Sequence, residues 1–369
     1  MEMTASPSGH NITDVPDENE FEFFAKLAEL GKALHIMSLV VFSLGMVLGV
    51  FGNAVVIWVT GFKMKKTVNT VWFLNLAVAD FLFTAFLPLT IAYTALNFHW
   101  PFGNFMCKLS SAITSLNIFA SVYVLVVISV DRCVSVVWPV WAQNHRSVRK
   151  ASCVSLGVWV LALILSIPSF VFRGTGPALQ NENITLCFNH FGLPEDNVTL
   201  SVVQLKQFRH QATTVTRFFL GFVIPFTVIV CCYAVIIHRL RKSPTLASQS
   251  KRTFRIIAAI IITFFLCWAP FHILTLIELA NFSAVSLDKT LVFVLTVGFP
   301  IATGLAFLNS CVNPLLYVFV GQNFKDRVCK SILNVLETVF QEEETNSQSY
   351  LKSEESSHSR EKSQANTEL

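Results

Sequence analysis

Residues 69–96 read NTVWFLNLAVADFLFTAFLPLTIAYTAL, and the basic run Lys63-Met-Lys-Lys66 stands just before them. The stretch holds one charged side chain, Asp80, near its middle. A helix crossing the roughly 30 Å hydrocarbon layer needs about 20 mostly apolar residues, and this run has that length with tilt to spare. A carboxylate is expensive inside a bilayer, so Asp80 marks a functional position by default. These residues predict a membrane helix with a positive flank and a polar site inside.

Working outward, the apolar pattern recurs. Spans are expected at about 36–61, 69–96, 105–136, 152–172, 214–238, 254–279 and 290–320. Strand alternation is absent, which argues against a barrel. Composition agrees: 53% of residues are hydrophobic and 14% charged, against about 25% charged in an ordinary globular protein. So few charges cannot cover a soluble surface. The same numbers exclude a disordered chain, a disulfide-dense secreted module and a basic-patch nucleic-acid binder. The fold class is therefore an all-α membrane protein, a seven-transmembrane helix bundle embedded in the lipid bilayer. No charged-then-apolar leader precedes the first span, which is expected to act as its own insertion signal.

The linkers assign sidedness. Lys63, Lys65 and Lys66, then Arg146, Arg149 and Lys150, then Arg239, Arg241, Lys242, Lys251, Arg252 and Arg255 fall in alternate linkers that contain no acid. The opposite linkers hold Arg173, Lys206, Arg209 and Lys289 beside Glu182, Glu195, Asp196 and Asp288. The positive-inside bias puts the first set in the cytoplasm and the N-terminus outside. Glycosylation sequons at Asn11, Asn183 and Asn197 fall on the extracellular side, as does Asn281, which sits too near the bilayer for use. The expected organisation is an acidic disordered N-terminus over 1–35, the bundle over 36–320, a short segment over 321–335 and a disordered Ser/Thr/Glu-rich tail over 336–369.

Of nine cysteines, only Cys107 and Cys187 fall at extracellular positions. An oxidising exterior favours one disulfide between them, pinning the long outer loop to the third helix; two free thiols are the alternative. Cys329 follows the last span among basic residues and reads as a palmitoylation site or a free thiol. No CxxC or His-Glu-x-x-His spacing, nucleophile–base signature or phosphate loop appears, so neither an enzyme nor a resident cofactor is expected.

The few charges inside the spans include Asp80, the pair Asp131-Arg132, Arg217 and Glu278. Prolines at 88, 168, 225, 270, 300 and 314 break the spans, which suits helices that re-pack. Asn117 and Ser121 share a face of the third helix, and Asn309 and Asn313 share one of the seventh. Converging on Asp80, these faces make either an oxygen-rich pocket for a small cation such as sodium or a cluster that ties helices together by hydrogen bonds.

Several short runs are recognisable. Gly52-Asn53, Asn75-Leu-Ala-Val-Ala-Asp80, Asp131-Arg132-Cys133, Trp159, Pro225 with Tyr233, Cys267-Trp268-Ala-Pro270 and Asn313-Pro314-Leu-Leu-Tyr317 resemble class A (rhodopsin-like) G-protein-coupled receptors, one motif per span in order over about 36–335. The resemblance implies a short amphipathic eighth helix around Asn323–Leu333 and coupling to a heterotrimeric G protein. It implies an allosteric sodium ion on Asp80, Asn117, Ser121, Asn309 and Asn313. It casts Asp131 and Arg132 as the resting ion pair, Trp268 as a toggle beneath the ligand, and Tyr233, Pro270, Pro314 and Tyr317 as parts of the inner switch. It matches the Cys107–Cys187 bridge.

The subfamily narrows further. Asp-Arg-Cys is usual among chemoattractant receptors, and Pro139-Val-Trp-Ala-Gln-Asn-His-Arg-Ser147 looks like the second inner loop of formyl-peptide and chemerin receptors. Lys63–Asn69, Trp72–Asn75, His99–Gly103 and Leu305–Cys311 look more like chemerin receptors. The chain lacks the second outer bridge of chemokine receptors, and no tyrosine precedes Tyr93 for sulfation. The implied ligand is a chemerin-like peptide or small protein whose C-terminal carboxylate meets Arg217 and Arg173; guanidinium suits this because it forks onto carboxylate. Arg173 as an interface-facing side chain is the alternative. Glu278, Trp268 and Thr114 complete the expected ligand site, with Glu278 either receiving a basic group or pairing with an arginine. Inhibitory G proteins, receptor kinases and arrestin are the implied partners, the last reading phosphates on Ser347, Ser349, Ser353, Ser356 and Ser357. Rival readings are a receptor for an anionic lipid mediator or a formylated peptide, an atypical scavenging receptor, and a transporter or channel, for which inverted repeats and charge rings are missing.

Overall fold

The structure, a computed structural model, describes residues 18–178, 181–192, 200–242, 244–281 and 288–320. Among them seven helices are long and apolar enough to cross a membrane. α1 is Glu18–Trp58 and continues through a π turn, Val59–Lys63. α2 is Val68–Ala95, α3 Gly103–Val137, α4 the short Pro139–His145 and α5 Val148–Val171. Strands β1 (Arg173–Pro177) and β2 (Thr185–Asn189) form an antiparallel hairpin. α6 (Leu200–Phe218), a π turn (Phe219–Val223) and α7 (Ile224–Lys242) make one long span. α8 is Pro244–Asn281 and α9 Lys289–Val320.

α3 is the axis. In its spanning window 61% is buried, against 22–44% in the others, because it packs on α2, α5, α7 and α8 at once. Val122, Leu125 and Ile128 of α3 meet Leu76, Ile229, Ile257 and Phe264 in the main core. Large apolar side chains such as Leu163, Ile164, Ile262 and Leu266 point outward, as lipid requires. α1 and α2 touch closely at Gly49, where an added Cβ would stand 2.4 Å from Thr84 Cγ2.

Three expectations need correction. The first helix begins at Glu18, so residues 18–35 are helical and not disordered. Buried Leu27 and Leu34 and the i,i+4 pair Glu22–Lys26 extend the amphipathic pattern upstream of the apolar run. The fifth span begins at Leu200, well before 214, because residues 200–213 are polar yet helix-compatible. The basic linker 239–255 is mostly helix, within α7 and α8, and the second inner linker carries α4 with Pro139 in its first turn.

The π turn before Pro225 has a local cause. In that register the N–H of Ile224 reaches the carbonyl of Phe219. The next carbonyl, Leu220, would wait for the N–H that Pro225 lacks. The Tyr123 hydroxyl donates to it at 3.1 Å, tying α3 to the break.

Candidate functional site

At the outer end, Cys107 at the top of α3 is bonded to Cys187 in β2, with Cα atoms 5.8 Å apart. The hairpin register sets Thr175 opposite Cys187 and Arg173 opposite Asn189. Thr175 N–H donates to Asn104 Oδ1 at 3.2 Å, Thr185 N–H to His99 Nδ1 at 3.1 Å, and Trp100 N–H to Thr185 O at 2.7 Å. The outer loop is thus fastened to both ends of the α2–α3 connection. Gly174 is required here, since a Cβ would stand 2.8 Å from the His190 ring.

Arg173 leaves this hairpin half-buried, its Nε toward Cys187 Sγ at 3.4 Å and Nη1 toward Asn189 Oδ1 at 3.4 Å. Arg217 of α6 is half-buried as well, and its Nη2 donates to Ser169 Oγ of α5 at 2.9 Å. Burial pushes the Arg173 guanidinium down to about 10, opposed by Tyr93 and reinforced by the charge of Arg217. It stays cationic at neutral pH. Among the described residues neither arginine has an ion pair, and neither has Glu278. Of the two alternatives for Glu278, a pair with an arginine is absent among the described residues, and reception of a basic ligand group stays open. Thr114 is half-buried on α3 and turns its hydroxyl back to Ser110 O at 3.0 Å.

Below, Trp268 is 2% exposed and its ring meets Phe264, Phe271 and His272. His272 was missed in the sequence. It is also buried, and its Nε2 has no partner among the described residues. Its spacing four residues after Trp268 was the available signal.

The middle layer gathers the polar residues as spacing predicted. Asp80 is fully buried. It accepts from Asn117 Nδ2 at 3.0 Å and from Asn313 Nδ2 at 2.8 Å. Ser310, unforeseen, bonds Asn117 Oδ1 at 3.3 Å, and Asn53 Nδ2 reaches Ser310 O at 2.8 Å. Among the described residues the buried side chains of Ser121 and Asn309 find no hydrogen-bond partner, and neither does Asn313 Oδ1. One buried carboxylate beside several orphaned oxygens is a donor set that could hold a small hard cation. Among the described residues no cluster of three His, Cys, Asp or Glu exists for a transition metal.

At the inner end Arg132 pairs with Asp131 at 2.9 Å, as expected. Arg146 of the α4–α5 corner was counted in the sequence only as a basic linker residue. It takes both oxygens of Asp131, at 2.7 and 2.9 Å. Both guanidinium groups also donate to Asn69 Oδ1 in the first turn of α2. Tyr233 lies within electrostatic reach of Arg132, and Pro314 packs against Gly52 of α1. Pro270 lies inside α8. Trp159 Nε1 donates to Asn75 Oδ1 at 2.9 Å, joining α5 to α2. Asn183 is in the β1–β2 turn. Asn11, Asn197, Cys329, the eighth helix, the Tyr317 side chain and the tail serines lie outside the described residues.

Comparison with known proteins gives one picture. The family described as "7 transmembrane receptor (rhodopsin family)" matches residues 52–317. Over 323 residues the chain is 48% identical to Chemerin-like receptor 1 of Mus musculus, covering 85% of this chain and 84% of that one. It is 44% identical over 326 residues to the C3a anaphylatoxin chemotactic receptor of Oncorhynchus mykiss, covering 86% and 83%. It is 41% identical over 303 residues to Chemerin-like receptor 2 of Homo sapiens, covering 82% and 81%.

Proposed function

The chain belongs to the rhodopsin family of seven-transmembrane receptors, and on that premise we propose that it is a cell-surface receptor for a chemerin-like peptide or small protein. Its N-terminus is outside, and it signals through inhibitory heterotrimeric G proteins and arrestin. The ligand's C-terminus enters between β1, α3, α6 and α8. Its carboxylate meets Arg217 and Arg173, and a basic group meets Glu278. The observation that carries this reading is the pair of half-buried guanidinium groups without an acid among the described residues. An uncompensated buried cation is costly, and an incoming anion removes that cost.

Activation is a population shift. Ligand above Trp268 favours a re-packing of α8 about Pro270. Asp80, Asn117, Asn313, Asn309 and Ser121 would hold a sodium ion, whose charge there would favour the resting arrangement, because these residues come from α2, α3 and α9 as they now pack. The orphaned oxygens support that assignment.

The test is inhibition of cAMP in cells displaying the chain, with a chemerin C-terminal peptide, its C-terminal amide, a formylated peptide, an anaphylatoxin and lipid mediators. A pertussis-toxin-sensitive response to the free-carboxylate peptide, lost with the amide, is expected. A response to a lipid mediator alone would transfer Arg217 to an anionic lipid. Arrestin recruitment without any G-protein signal would make the chain a scavenging receptor.

A further inference from the structure

A cavity lies at the inner end of the molecule, on the outside of the bundle. It encloses about 380 Å³ between α2, α3, α4 and α5, within the roughly 300–1,000 Å³ of small-molecule sites. Its walls are apolar, with Trp72 from α2, Val130 and Val134 from α3 and Val154 from α5. Its rim is basic: His145, Arg146 and Lys150. The one acid in the lining, Asp131, is already held by Arg132 and Arg146. Lys150 has no ion pair among the described residues. Beside the mouth, α4 exposes Trp138, Val140 and Trp141, an aromatic face of the kind that sits at a membrane–water boundary. Within the wall, Trp72 is 5% exposed and its indole Nε1 has no acceptor among the described residues.

We propose that this groove is a binding site for an anionic phospholipid. One acyl chain lies against Val130, Val134 and Val154, and the phosphate sits between Arg146 and Lys150. Charge complementarity selects the occupant: an apolar slot open to lipid, ending in the unpaired Lys150 and in Arg146, which shares one acid with Arg132, has a net positive rim that matches a negative headgroup with a chain attached. A sterol hydroxyl or a zwitterionic headgroup leaves the net positive rim without its counter-charge. Because Arg146 serves both Asp131 and the rim, an occupied groove competes with Asp131 for that guanidinium.

Native mass spectrometry of the full-length chain, purified with phosphatidylserine or phosphatidylcholine, tests this. Phosphatidylserine is expected to be retained in preference. The ratio of singly lipid-bound to free protein is expected to fall about fivefold in Lys150→Ala, the contribution of one basic residue near an anionic surface. Val130→Trp, at a position 40% exposed to lipid, fills the slot and is expected to lower the ratio as far with an unchanged melting temperature. Equal retention of the two lipids would overturn the proposal. So would undiminished phosphatidylserine in both variants, or its displacement by cholesterol in the unaltered chain.

Discussion

If the ligand's carboxylate meets Arg217, removing either partner must make the other irrelevant. Arg217 uses one N–H on Ser169 at 2.9 Å, and guanidinium has five. The rest are available to an anion. A hydrogen bond to a charged group contributes about 1.5–3 kcal/mol, and half burial lifts it above the near-zero value of an exposed pair. Two such bonds to one carboxylate share a single desolvation cost, which brings the total to about 2–4 kcal/mol. At 1.4 kcal/mol per tenfold, Arg217→Ala should weaken a free-carboxylate peptide about 30- to 1,000-fold. The assay is a four-arm cAMP cycle: intact chain and Arg217→Ala, each with the carboxylate peptide and its amide, at matched surface expression. Matching matters because Ser169 is 5% exposed and loses its partner, at a cost of about 1 kcal/mol in stability. The amide should act equally on both chains, so the coupling energy equals the single loss. Arg217→Lys keeps the charge but not the fork and should recover part of the potency. Additive losses would mean that the two groups never meet, and would refute the assignment.

Three further outcomes follow from other layers. In detergent, sodium chloride should stabilise the chain over potassium chloride by about 2.7 kcal/mol at a hundredfold excess over Kd, read as a higher melting temperature, and Asp80→Asn should erase the difference. An equal sodium effect in that variant would remove the ion from the cluster. Gly49→Ala sets a methyl 2.4 Å from Thr84 Cγ2, whose hydroxyl is held by Asp80 O at 2.9 Å, so thermal unfolding should show about 1–3 kcal/mol of destabilisation. An unchanged midpoint would deny the close α1–α2 approach. Opening the Cys107–Cys187 bridge with a Cys107→Ser, Cys187→Ser chain frees a loop of 80 residues' separation, worth up to about 4.5 kcal/mol by chain entropy. Ligand potency should fall more than surface expression, because the bridge holds the hairpin that presents Arg173; equal falls would make the bridge a folding device alone.

The spans were legible because lipid allows one solution, a helix with every backbone group paired inside it. What lay beyond the lipid was less legible. Residues 18–35 and 200–213 are polar enough to pass for loops, and their helical state shows only in the burial of Leu27 and Leu34 and the unbroken run through Leu200–Phe218. The Asp80 cluster was readable from i,i+4 spacing on α3 and α9, since a lone buried carboxylate must find donors. Ser310 escaped because its role depends on the rotation of α9 against Asn117.

The inner end carries the largest difference between sequence and structure, and it has a reason. α8 contains one acid, Glu278, near its outer end. No acid of the sixth span can reach Arg132. The counter-charge must come from elsewhere, and the structure draws it from Asp131, with Asn69 of α2 as a second acceptor. A carboxylate with two oxygens also accommodates Arg146, which binds it by the bidentate geometry that guanidinium favours. Two cations on one acid weaken each other's hold. Arg132 is thereby less firmly kept than in a private pair, and α8 has no ion pair with it to break among the described residues. The strength of the Arg132–Asp131 pair then depends on where Arg146 of the α4–α5 corner points, and not on any acid of the sixth span.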